Sequence, residues 1–242
     1  HRQGHEIASH AVGHFDGRRW SASQWHAEFA SFDALVTNIA ANNELAPDEG
    51  LAITPKDVVG FRAPYLAHSP GLYATLAERG FRYDTSGTAS SHAWPEKRDG
   101  IWRFNLAGIR LSGSGRATLS MDYNFLVAQS GAAPILALRE RFRQQMLDSY
   151  LAYFRANYSG NRAPIHIGHH FSDYQNGAYR EALKSFARAV CGLPEVRCVT
   201  YRTLADFMDR LSPEMLADYR AGRFDRALAP ATLASGAAQP QP

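Results

Sequence analysis

Short apolar runs that stop abruptly at polar clusters, with helical patterns between them, most constrain how these 242 residues fold. Val58-Val59-Gly60-Phe61 runs into Arg62-Ala63-Pro64-Tyr65, Phe81-Arg82-Tyr83 ends at Asp84, and Pro164-Ile165-His166-Ile167-Gly168 runs into His169-His170. Between these strand-like runs, apolar residues recur every three or four positions. Trp25, Phe29, Phe32, Val36 and Ile39 follow the capping candidates Ser21 and Ser23, and Leu72, Leu76 and Ala77 lie between Ser69-Pro70 and Gly80. Ile135, Leu138, Phe142, Leu147, Leu151 and Phe154 mark a long helix that ends between Asn157 and Asn161. A helix near 177–190, a strand at 197–200 and a helix at 204–211 continue the alternation. Such alternation predicts an α/β domain with a parallel sheet, closed or open, whose functional side chains gather at the strand C-terminal ends. Residues 85–134 are the least regular by pattern, with short strands expected at 101–104 and 109–111.

Composition narrows the function classes. With 45% apolar residues the chain can bury a large core, and we read one domain over residues 1–212, followed by a largely disordered tail over 213–242. The net charge of +3 comes from acidic and basic residues that alternate without a Lys/Arg block, which argues against a nucleic-acid partner. No apolar run reaches the roughly 18 residues that a membrane span needs. Cys191 and Cys198 flank a turn that contains Gly192 and Pro194, and they are either a local disulfide or two buried thiols.

The residues with the most chemistry are histidines. His10 and His14 stand four apart, a spacing that turns both imidazoles to one side if the segment is helical or tightly turned, as a bidentate grip on a metal requires. Ten histidines in 242 residues would give such a pair about 0.4 times by chance, so the pair alone carries little. Its weight comes from the order in which His10-x-x-x-His14, Arg62-x-Pro64-Tyr65, Asp122-Tyr123 and Ile167-x-His169 follow one another.

In that order the motifs resemble those of the polysaccharide deacetylase family, carbohydrate esterases with the NodB homology domain, over His1 to about Leu211. The resemblance implies a distorted (β/α) barrel and one divalent metal, zinc or cobalt. It also implies a hydrolase that removes acetyl groups from an N-acetylated or O-acetylated polysaccharide such as chitin or peptidoglycan, acting on carbon–nitrogen bonds other than peptide bonds. It places metal ligands at His10 and His14. Arg62 would orient a catalytic carboxylate. Pro64 and Tyr65 would shape the oxyanion contact, with the Tyr65 backbone N–H as donor. Asp122 would pair with the acid histidine, with Asp84 as its competitor, and Tyr123 would wall the acetyl pocket. The general acid would be His169 or His170, and the match of Ile167-x-His169 favours His169. His166 beside them leaves a second metal site open. Trp94 and Trp102 are core residues or sugar-stacking platforms, with the core the better reading.

The chain also departs from the family pattern. Ala11 stands where Ser or Thr is usual, so the hydrogen bond that fixes this loop is absent or comes from Ser9. Leu119 replaces an Asp ahead of Asp122, and the family's first motif, Thr-Phe-Asp-Asp-Gly with the base and third metal ligand, does not occur. The expectation is therefore an N-terminally truncated barrel, a fragment whose own activity is in doubt. Exported location, periplasmic or secreted, is implied by the family and by the cysteine pair. The alternatives are a C–N hydrolase of a small amide or imide on the same fold, and a carbohydrate-binding relative without turnover.

Overall fold

The computed structural model describes residues 4–46, 49–50 and 52–225. Helix α1 (Ala22–Thr37) starts where Ser21 accepts a hydrogen bond from the Gln24 N–H while the Gln24 side chain returns to the Ser21 backbone, a reciprocal cap. It buries Trp25 and Phe29, and the single-turn α2 (Ile39–Asn42) follows. Strand β1 (Gly60–Phe61) leads into the Arg62 segment, and α3 (Pro70–Glu78) begins as expected at Ser69 with proline in its first turn. Gly80 closes α3 at φ +74°, a conformation that glycine adopts without steric cost.

The strands are short and the sheets are mixed, where the sequence predicted parallel ones. β1, β2 (Tyr83–Asp84) and β5 (Ile101–Arg103) pair in parallel, and β4 (Glu96–Arg98) adds to β5 as an antiparallel hairpin. A second sheet orders β3 (Thr88–Ser90), β6 (Leu106–Arg110) and β7 (Ala117–Leu119), again with one parallel and one antiparallel pairing. Two isolated parallel bridges extend these sheets: Ser9 to Phe61 and Met121 to Gly168.

Four more helices complete the fold: α4 (Asp122–Ser130), α5 (Arg139–Tyr158), α6 (Tyr174–Val190) and α7 (Tyr201–Asp209). Asp122 opens a helix in the stretch that the pattern left least regular. Only Phe125 and Leu126 among the apolar residues of α4 are buried, too few to print a period on the sequence. The expected strand at 197–200 has no ladder partner among the described residues, and the run at 164–168 is extended but bridged only at Gly168.

The expected tail at 213–242 is corrected over its first part. Residues 213–220 form helix α8 (Pro213–Arg220), capped by Ser212 with proline in the first turn and seated by Tyr219 against Trp94. The rest of the expected tail, residues 226–242, lies outside the described residues. Cys191 and Cys198 form a disulfide, the first of the two readings. Trp94 and Trp102 are buried, as core residues.

Three apolar clusters hold these elements. Trp25, Phe29, Phe61, Leu72, Leu76 and Phe81 join α1 and α3 to β1, while Phe125, Phe142, Met146, Tyr150, Tyr179 and Phe186 join α4, α5 and α6 to β6. Tyr83, Trp102, Phe104, Ala205 and Met208 seat α7 on β2 and β5. The result brings the ends of β1 and β2, and the loops after Ser9 and Gly168, into one neighbourhood.

Candidate active site

The loop that carries His10 and His14 is built from hydrogen bonds to its backbone. Ser9 N–H donates to the Gly60 carbonyl at 2.9 Å and the Ser9 carbonyl accepts from Arg62 N–H at 3.0 Å, which fixes His10 beside β1. The chain then turns through Ala11 at φ +62° and His14 at φ +50°, left-handed values that cost a non-glycine residue about 1–3 kcal/mol. A turn, and not a helix, brings the two imidazoles to 5.1 Å between ring centroids. Ser9 Oγ accepts from Ala11 N–H at 3.3 Å, the contact expected if Ser9 compensates for Ala11. A second brace was not legible in the sequence. One Glu28 carboxylate oxygen, projecting from α1, accepts from both Val12 N–H and Gly13 N–H at 2.7 Å.

Nδ1 of His10 lies 2.7 Å from the Arg62 carbonyl oxygen. A carbonyl only accepts, so Nδ1 carries the hydrogen and Nε2 keeps its lone pair, the arrangement a metal-ligating histidine uses. Desolvation by the surrounding loops lowers the pKa of His10, and His14, Arg62 and His170 add to the lowering. Tyr65 packs its exposed ring edge-on to His14 at 4.9 Å. Tyr65 and Leu66 both adopt left-handed φ, at +57° and +56°, after the buried Pro64. Left-handed non-glycine residues thus cluster on the two loops that meet at His14.

Arg62 is fixed from below. Its Nε donates to Thr85 Oγ1 at 3.0 Å and its Nη2 donates to His166 Nε2 at 2.8 Å. His166 is buried, and desolvation followed by the Arg62 charge pushes its pKa down to about 3, so it stays a neutral acceptor. That position ties His166 to Arg62 as a support and corrects its reading as part of a second metal site.

Asp122 stands at the start of α4. Its N–H donates to the Gly168 carbonyl at 3.1 Å, and the carboxylate accepts from His170 Nδ1 at 2.6 Å and from His170 N–H at 2.8 Å. The hydrogen bond from Asp122 is the main cause that raises the pKa of His170. His170 is exposed while the Asp122 carboxylate is buried, so the dyad offers its second ring nitrogen outward. His169 also contacts the core. Its Nε2 lies 3.1 Å from the hydroxyl of the fully buried Tyr150, and desolvation lowers its pKa. Both histidines thus face Asp122: the half-buried His169 with its Nδ1 3.9 Å from the carboxylate, and the exposed His170 in direct contact with it. Tyr123 follows Asp122 with its ring exposed.

Asp84 does not compete for the histidine. It is fully buried, accepts from Ser86 Oγ at 2.6 Å and from Ser86 N–H at 3.1 Å, and lies 3.9 Å from Arg103. Burial pushes its carboxyl up. It closes a structural cluster at the end of β2.

The structure thus gathers His10, His14, Arg62 and Tyr65 on the β1 side, with Asp122 and His170 on the other. His170 lies close enough to His10 to lower its pKa. As a donor set for a divalent cation, His10 and His14 fit two positions. Among the described residues, no group of three His, Cys, Asp or Glu side chains that could hold a metal occurs.

No family model matches the chain. Over 94 residues it is 34% identical to chitin deacetylase 1 of Bombyx mori, a match that covers 37% of this chain and 15% of that protein. Its fold is similar to the crystal structure of a protein from Mycobacterium smegmatis provisionally described as a polysaccharide deacetylase. That match has a TM-score of 0.58 at 22% identity, and covers 88% of this chain and 66% of the other. In its matched sequence and in its mixed α/β fold, this chain resembles the polysaccharide deacetylase family of the NodB homology type.

Proposed function

We propose that this chain is the catalytic domain, over residues 1–212, of a hydrolase that removes acetyl groups from an N-acetylated or O-acetylated polysaccharide such as chitin or peptidoglycan. We read its strands as a distorted (β/α) barrel. The observation that carries the reading is the Asp122–His170 dyad near the His10–His14 loop, with His170 close enough to lower the pKa of His10.

The two carboxylate contacts hold His170 Nδ1–H inward, so the proton on Nε2 is the one available to the departing amine when its carbon–nitrogen bond breaks. Asp122 keeps that imidazole in one tautomer and favours its charged form, which an acid needs before it donates. Tyr65 presents its backbone from a left-handed turn, and its N–H serves the oxygen on which negative charge develops. Pro64 fixes the turn, Tyr123 walls the acetyl group, and Arg62, anchored by Thr85 and His166, keeps a fixed positive charge under the site. His10 and His14 supply two ligands to a divalent metal, zinc or cobalt. When bound, such an ion polarises an acetyl carbonyl and lowers the pKa of a water.

The Cys191–Cys198 disulfide supports an oxidising, extracytoplasmic location. Among the described residues no helix is long and apolar enough to cross a membrane. Acetate release from a chitin hexamer, measured with the complete gene product, tests the reading. His170→Ala and prior chelation should each abolish release, and zinc or cobalt should restore it after chelation. Hexamer binding without any acetate would leave a carbohydrate-binding protein instead.

A further inference from the structure

Thr85 and Ser86 leave β2 directly beside the end of β1, because the parallel register sets Asp84 opposite Phe61. Hydrogen bonds then tie the two strand ends together. Thr85 N–H donates to the Phe61 carbonyl at 2.9 Å, Thr85 Oγ1 accepts from Arg62 Nε at 3.0 Å, and Ser86 Oγ accepts from Ala63 N–H at 2.8 Å. Ala63 is fully buried, so its N–H needs an acceptor inside the protein, and Ser86 supplies it past the last ladder pair of β1. A serine hydroxyl carries a single hydrogen. Ser86 gives it to Asp84 Oδ1 at 2.6 Å and so turns a lone pair towards Ala63 N–H. The other Asp84 oxygen accepts from Ser86 N–H at 3.1 Å, and Arg103, 3.9 Å away, offsets the carboxylate charge. Asp84 and Ser86 are 0% and 1% exposed, so water does not compete for these bonds.

Ala63 enters the turn that matters for the site. Pro64 follows it, then Tyr65 and Leu66 at φ +57° and +56°. Two left-handed non-glycine residues in succession persist only where the surrounding structure over-determines them. We propose that Asp84 and Ser86 are positioning residues, which fix Ala63 and through it aim the Tyr65 N–H at the oxygen on which negative charge develops. This assignment rests on the deacetylase reading, in which the Tyr65 N–H is that donor. Asp84 thereby serves the reaction without touching the substrate.

Ser86→Ala and Asp84→Asn, made in the complete protein, test it. The first removes one hydroxyl; the second puts an amide where two donors must both be accepted. With a chitin hexamer, kcat for acetate release should fall about 10–100-fold while KM stays within about twofold, because a displaced oxyanion donor acts on the transition state and not on ground-state binding. The alkaline limb of the kcat profile should keep its place, since Asp122 and His170 are untouched, and a moved limb overturns the proposal. So does parent-like kcat in folded Ser86→Ala, whatever KM does. If Asp84→Asn does not fold, Ser86→Ala decides alone. Amide hydrogen exchange separates positioning from general loosening. Leu66 N–H donates to the Ala63 carbonyl at 3.1 Å and Ala67 N–H to the Pro64 carbonyl at 2.9 Å. Ser86→Ala should speed exchange at Ala63, Leu66 and Ala67 by about tenfold or more and leave α1 as in the parent. Unchanged exchange at these three amides overturns the proposal, as does faster exchange throughout α1. If the parent protein releases no acetate, the deacetylase reading fails by itself, and the exchange pattern still decides whether Asp84 and Ser86 hold the turn.

Discussion

Asp122 grips His170 twice, with one carboxylate oxygen on the ring Nδ1–H at 2.6 Å and the other on the backbone N–H at 2.8 Å. The double contact sets orientation and charge together. Asp122→Asn keeps the shape but removes the negative charge, so kcat for acetate release should fall by about 10²–10⁴. The sign of the pH effect follows. Because Asp122 raises the pKa of His170, the acid form persists above the ordinary imidazole range, and activity falls as pH rises through that raised value. In the Asn variant the alkaline limb should shift to lower pH. A kcat profile with an unmoved limb would show that His170 is not the titrating acid.

His166 predicts an acid weakness. Burial holds it neutral with a pKa of about 3, against 6.5 when free. Below 6.5 the unfolded chain takes up a proton that the folded chain refuses, so stability present at neutral pH is lost as pH falls from about 6.5 towards 3. His166→Gln removes this titration. Chemical denaturation across that window should give a flatter pH dependence for the variant than for the parent, and parallel curves would rule the mechanism out.

Glu28 should govern how firmly the His10–His14 loop is held. Glu28→Ala strips two charge-assisted hydrogen bonds from Val12 and Gly13, both at an exposed position where water weakens them. The loop is on the surface, so we expect a drop of only a few degrees in Tm but a loss of about 10–100-fold in zinc or cobalt affinity by calorimetry. Glu28→Gln, which can still accept, should recover part of the affinity. Affinity equal to the parent's in Glu28→Ala would separate the brace from the site.

Gly60 tests the sheet beneath the site. A Cβ there would meet the Tyr83 ring at 1.9 Å, and Tyr83 is buried with its hydroxyl donating to Glu6 at 2.9 Å. Gly60→Ala must displace that ring, at a cost of about 1–3 kcal/mol. Denaturant unfolding should register it, and an unchanged midpoint would mean that Tyr83 moves freely.

The helices were legible because their causes are local. Ser21 with Gln24, Ser69 with Pro70, and the apolar period of α1 and α5 are written within a few residues of where they act. Ser212-Pro213 carried the same signal for α8, but a stretch of so few apolar residues becomes a helix only when Tyr219 finds Trp94. α4 escaped notice for the same reason, with its buried residues too few to show a period.

By itself the sequence determined which residue types could act, and in which order: the histidine pair, the Arg-x-Pro-Tyr segment, Asp122, and two adjacent histidines after an apolar run. Only the tertiary structure decided which of them meet. His169 and His170 are alike by composition, and only the fold gives His169 a contact with the buried Tyr150 and leaves the exposed His170 hydrogen-bonded to Asp122. Asp84 and Asp122 are alike too, until burial beside Ser86 and Arg103 removes the first. Glu28 and His166 bear no motif, because their roles are hydrogen bonds to groups that lie far off in the chain until the fold closes.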